Sequence, residues 1–173
     1  MKLSYFELTV PVVTKNLTNL KVIFLKGWDA AQAEGMSETV FLGQRLTEDM
    51  FSLSKQIQIA TDIAKASPAR LCGTDMITLE DNETTVAELV ARIDKVIDHL
   101  TQYTPEQFEG AAERKIELSY MPGKFQFGKD FLPDFVLPNF FFHCTMAYAL
   151  IRAQGVEIGK KDFVGSLKLH DKA

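Results

Sequence analysis

A chain of 173 residues, 46% of them hydrophobic, has the size and apolar content of one domain with a sizeable core, here residues 1–173. The formal net charge of -4, with lysine and arginine spread along the chain and no basic stripe, argues against nucleic acid as a partner. Glu7, Pro11 and Lys15 interrupt any signal-peptide core, no apolar run reaches the roughly 18 residues of a membrane span, and Cys72 and Cys144 show no paired spacing, so the expectation is a cytoplasmic protein with no membrane contact and no disulfide framework.

In chain order, Val10, Val13, Leu17, Leu20, Phe24 and Trp28 recur at helical spacing and predict a first helix. Pro11 must lie near its start or kink it, and Gly35 marks its end. A second helix is expected from Thr47, an N-cap followed by Glu48 and Asp49, with the stripe Leu46, Met50, Leu53, Ile57, Ala60 and Ala64. Ser67-Pro68 should stop it, and the stretch from Leu71 to Asn82 reads as a connection. Thr85 and Glu88 form a capping-box pair ahead of the stripe Val86, Leu89, Ile93, Val96, Ile97 and Leu100, which predicts the third helix.

KIELSYMPGKFQF alternates apolar and polar residues on both sides of Pro122-Gly123, the pattern of a hairpin closed by a type II turn. Tyr120, Phe125, Phe127, Phe131 and Phe135 form an aromatic group in and beyond it, suited either to an interface or to ordinary core. LPNFFFHCTMAYALIRAQG then predicts a fourth helix, with Pro138 in its first turn and Gly155 as its C-terminal cap. Being apolar nearly all round, it is expected to be the most buried helix. The fold class is therefore all-α, a four-helix bundle with a small β-hairpin inserted before the last helix.

His143 is the one imidazole in that last apolar run, and burying it requires a partner. Asn139 shares its helix face, and Asp49 and Gln56 flank the stripe of the second helix, from which either could turn inward. The candidate set is His143 as catalytic base, with His143, Asn139 and Asp49 as a degenerate metal site. The alternative is a core histidine satisfied by one hydrogen bond in a non-catalytic bundle. Asp94, Asp98 and His99 read as a solvated face, and His170 as part of an exposed tail. Nucleophile-elbow, P-loop and dinucleotide-binding motifs are absent.

The segments LTEDMFSLSKQIQIATDIAK, DNETTVAELVARI and LPNFFFHCTMAYALIRAQGVEIGKKDF resemble a bacterial family of unknown function grouped with the DinB/YfiT-like metalloenzyme superfamily. That resemblance implies a four-helix bundle, often a homodimer, with a divalent metal such as zinc or nickel held by one histidine of the second helix and a His-x-x-x-His pair of the fourth. Counting back nine residues from Arg152 places His143 on the second histidine of the pair and Asn139 on the first, and the second helix has no histidine. The resemblance thus implies a small-molecule-binding protein or enzyme whose metal site is weakened or lost. The alternative is a dimeric bundle acting through protein contacts.

Overall fold

The structure, a computed structural model, describes residues 4–118 and 121–171. In chain order its elements are α1 (Tyr5–Ala33), a short α2 (Glu38–Leu42), α3 (Leu53–Cys72), α4 (Val86–Leu100), β1 (Lys115–Glu117), β2 (Phe125–Phe127), α5 (Gly128–Phe131), α6 (Leu137–Ala153) and a terminal turn α7 (Lys160–Val164). The bundle is formed by α1, α3, α4 and α6, with α3 packed against the other three.

Ser4 and Glu7 cap α1 reciprocally, and Val10, Val13, Leu17, Leu20 and Phe24 are buried along one face as their spacing requires. Pro11 sits in the second turn and faces solvent, where the carbonyl it leaves without a helical donor can be hydrated. Gly27 marks the crossing of α1 and α6. A Cβ there would lie 2.8 Å from Cγ2 of Ile151, so only hydrogen fits between the helices.

The second long helix differs from the sequence reading at both ends. Thr47, Glu48 and Asp49 lie in an exposed turn closed by Met50 N–H donating to the Thr47 carbonyl, 3.1 Å. Ser52 is the cap instead, its hydroxyl accepting from Lys55 N–H, while Leu53 N–H is bound to the Gln44 carbonyl at 2.8 Å. Both Thr47 and Ser52 have the right chemistry to start a helix. The packing of Leu53 into the core selects the later one. At the other end the helix runs through Pro68 to Cys72. Pro68 cannot donate to the Ala64 carbonyl, and the Ser67 hydroxyl takes its place at 3.2 Å.

The Thr85–Glu88 capping box starts α4 as expected. The hairpin pairs Lys115 with Phe127, Ile116 with Gln126 and Glu117 with Phe125. Lys124 N–H closes the turn on the Met121 carbonyl at 3.0 Å, with Gly123 at φ 78, the left-handed conformation that the third residue of a type II turn demands. Tyr120 lies outside the described residues. Phe131 is core, whereas Phe125 is exposed with the Lys115 ammonium over its ring.

The last helix begins well before Leu137. α5, a π-helical turn over Leu132–Val136 and α6 form one continuous run from Gly128 to Ala153, long and apolar enough by length and composition to cross a membrane, contrary to the reading that no such run exists. Pro133 and Pro138 both lie within it, and Leu137 N–H reaches five residues back to the Leu132 carbonyl, so the backbone passes the prolines by widening one turn. Nor is α6 the most buried helix. Phe142 is 52% exposed, whereas α3 has no exposed residue at all. Of the two, α3 is the one packed against all three other bundle helices, although its sequence is the less apolar.

Polar burial on α3 explains that exchange. Arg92 of α4 is 3% exposed, and its guanidinium donates to Thr61 Oγ1 (2.7 Å), the carbonyls of Glu80 and Gln58, Asp62 Oδ1 (2.6 Å) and Glu83 Oε1 (2.8 Å), with Asp81 at 3.0 Å. Lys55 pairs with Asp81 and Lys65 with Asp62, so three cations meet three carboxylates. The network ties α3, α4 and the connection before α4 into one unit. Replacing Arg92 with methionine should destabilise the fold by about 3–5 kcal/mol in urea denaturation, because Glu83 and Asp62 lose their buried counter-charge. Lysine should recover less than half of that loss, since one ammonium has three donors for a site built for five.

A candidate functional site around His143

α3 and α6 run antiparallel, so Gln56 in the first turn of α3 meets His143 in the middle of α6. Gln56 is 1% exposed and His143 7%. His143 Nδ1 and Gln56 Oε1 are 2.7 Å apart. Gln56 Nε2 donates to the Phe51 carbonyl at 3.3 Å, which turns the amide oxygen toward the imidazole. That oxygen can only accept, so Nδ1 carries the proton and Nε2 keeps its lone pair. Nε2 has no hydrogen-bond partner among the described residues. The Phe142 ring stands edge-on to the imidazole, with centroids 5.2 Å apart.

Burial disfavours the charged ring and holds the His143 pKa below the ordinary histidine value. The site therefore offers a neutral imidazole with one fixed tautomer. Such a group can accept a hydrogen bond or a proton, or donate one lone pair to a metal.

Asn139, one turn earlier on α6, is half-buried, and its side chain forms no hydrogen bond with any described residue. Asp49 is not brought to the site. Lying in the turn before α3, it is exposed, and its carboxylate accepts from the Thr47 hydroxyl; that bond and a local backbone one hold its pKa low. Gln56, the other second-helix residue able to turn inward, is the one that does. Among the described residues no group of three or more histidine, cysteine, aspartate or glutamate side chains could hold a metal ion. One imidazole nitrogen and a neutral carboxamide are a poor donor set for zinc or nickel, and the Gln56 oxygen is already engaged, so the residues present do not fit a divalent metal.

Sequence reasoning missed Arg92, whose position beside the stripe of α4 gave no sign that Thr61, Asp62 and Glu83 would converge on it. His99 is expected on a solvated face. It is half-buried, with Nε2 3.3 Å from the Tyr103 hydroxyl, and burial lowers its pKa as well. His170 is exposed as expected.

Both lowered histidines prefer the neutral ring when folded, so the unfolded chain takes up protons first as the pH falls. Stability should be complete above about pH 6.5, the unperturbed histidine value, and should decline as pH drops from there toward the folded values. In urea titrations between about pH 5 and about pH 8, His143→Gln should flatten part of this dependence and leave the share due to His99.

Comparison with known proteins follows the same lines as the geometry. Residues 5–164 match the family described as "Domain of unknown function (DUF1993)". Among solved structures, the fold is similar to the crystal structure of a DinB family member protein from Shewanella denitrificans, with a TM-score of 0.92 and 38% sequence identity over 96% of this chain and 95% of that one. No curated protein matches the chain significantly. With nearly its whole length matched by the family and its bundle superimposing on a DinB family structure, the chain belongs to the DUF1993 family of DinB-like proteins.

Proposed function

We propose that this protein binds a small molecule, as a binding protein or an enzyme, at His143, where α6 meets the first turn of α3. The observation that supports this reading is the chain of fixed hydrogen bonds from the Phe51 carbonyl through Gln56 to Nδ1 of His143, which leaves Nε2 as a neutral acceptor or base. In metal sites the same kind of partner orients a histidine ligand. Here it orients a lone imidazole, with Asn139 one turn away as a second hydrogen-bonding group. In this reading a divalent metal is held weakly or not at all. Cytoplasmic residence belongs to the same proposal and is supported by two buried free thiols, with Cys72 pushed up to about 11 by its burial.

A second reading, a dimeric bundle acting through protein contacts, is favoured by the outer face of α6. Pro138, Phe142 and Thr145 are exposed there, and no charged residue occurs between Asp134 and Arg152. Sedimentation at several concentrations separates the cases. A dimer lost on Phe142→Lys supports this reading, and a monomer throughout overturns it.

For the first reading, the decisive measurements are metal content, zinc and nickel titrations, and fragment binding by NMR on the parent and His143→Ala. The expected result is no stoichiometric metal and fragment-induced shifts around Gln56 and His143 that vanish in the variant. Stoichiometric metal lost in the variant would instead restore a metal centre. Saturable fragment binding indifferent to His143→Ala would overturn the assignment. The variant should also lose about 1–3 kcal/mol of stability, because Gln56 Oε1 is left buried without a donor.

A further inference from the structure

The free nitrogen of His143 reaches the surface. Among the described residues, the fully buried side-chain oxygens and nitrogens without a hydrogen-bond partner are Thr9 Oγ1, Thr14 Oγ1 and Gln126 Oε1. Nε2 of His143 has no partner and is not one of them, so the small part of the residue left exposed includes that nitrogen.

The side chains around it carry no charge. One turn either side of His143 on α6 stand Asn139, Phe140, Met146 and Ala147, and one turn either side of Gln56 on α3 stand Ser52, Leu53, Ile59 and Ala60. The nearest charged residues along α6, Asp134 and Arg152, are each nine positions away, about 13 Å along the axis. Lys55, next to Gln56 in sequence, is held in an ion pair by Asp81. An ionic ligand at Nε2 would lose hydration without meeting a counter-charge from these residues. An apolar body, in contrast, can lie on the exposed Phe142 ring that stands edge-on to the imidazole.

Gln56 decides what Nε2 can do. With its amide turned by the Phe51 carbonyl, Gln56 Oε1 accepts the one proton of the neutral ring at Nδ1. Nε2 is then an acceptor and cannot donate, so it bonds an O–H and repels an ether oxygen. Without that amide, a proton on buried Nδ1 would have no acceptor, and the tautomer with the proton on solvent-facing Nε2 would be favoured.

We propose that the His143 site takes an uncharged hydroxyl compound, an alcohol or phenol with an apolar body, whose O–H donates to Nε2, and that Gln56 is the positioning residue that sets this preference. The inference rests on the reading of His143 as a binding site and adds the class of ligand and the residue that selects it.

The test is NMR titration of the full chain with phenol, toluene, anisole, benzoate and benzylammonium, with the imidazole tautomer read from its nitrogen resonances. Toluene matches phenol in shape without a donor, and anisole keeps the oxygen but cannot donate. Phenol should shift the Gln56 and His143 signals saturably and bind about fivefold or more tighter than toluene or anisole, with both ionic probes weaker still. The parent ring should carry its proton on Nδ1. In Gln56→Leu, or in Gln56→Met, which fills the same space with a more adaptable chain, the proton should move to Nε2 and the preference for phenol over anisole should disappear. The proposal is overturned if the parent carries its proton on Nε2, if phenol binds no tighter than toluene or anisole, or if an ionic probe binds tighter than phenol. Folded Gln56→Leu or Gln56→Met that keeps the parent's preference for phenol would remove Gln56 from its role. Each of these results leaves His143 a binding site for another ligand class, whereas no saturable shift from any of the five probes would remove the underlying reading as well.

Discussion

A guanidinium cannot shed its charge inside a protein, so burying Arg92 dictates what must surround it. The carbonyls of Gln58 and Glu80, the Thr61 hydroxyl and the carboxylates of Asp62, Asp81 and Glu83 come from α3 and from the connection before α4. Satisfying them fixes the rotation of α3 about its own axis. Thr61 shows how tightly the requirement is met, since its hydroxyl donates back to the carbonyls of Ile57 and Gln58 and accepts from Arg92 Nε. The chain connecting α3 and α4 has little regular structure, and the same charges hold it down.

Once α3 is set by one face, its other face is set too. Gln56 then looks toward the last helix and meets His143 there. The molecule buries two polar side chains by opposite means. Arg92 stays charged and is answered by charge, whereas His143 is kept neutral by burial and answered by a single carboxamide. The first arrangement confers rigidity. The second leaves one ring nitrogen uncommitted at a nearly closed surface, which is a chemical resource.

Sharing a bundle with a DinB family structure establishes the frame and says nothing of the reaction, because activity resides in the side chains mounted on a fold. The side chains here depart from a three-histidine metal site at two positions. The bond between Gln56 and His143 fixes the orientation and tautomer of the remaining imidazole.

By itself the sequence determined the helices whose stripes and caps agree, such as α4 with Thr85 and Glu88, and the hairpin closed by Pro122-Gly123, because those signals are local and the chain has no better use for them. It also singled out His143, since an imidazole in an apolar run is conspicuous wherever the run folds. Tertiary structure decided the rest. Thr47 and Ser52 are equivalent as caps on local grounds, and only the packing of Leu53 separates them. That choice removed Asp49 from the site and brought Gln56 into it. Pro68 reads as a stop and Pro138 as the first turn of a new helix, yet both helices run through their prolines, because a serine hydroxyl and a widened turn replace the missing donors while core packing supplies the free energy. Arg92 is one charged residue beside an amphipathic stripe until α3 and the connection before α4 converge on it. Convergence of that kind is a property of the folded chain, because no local pattern encodes which carboxylates will meet a given cation.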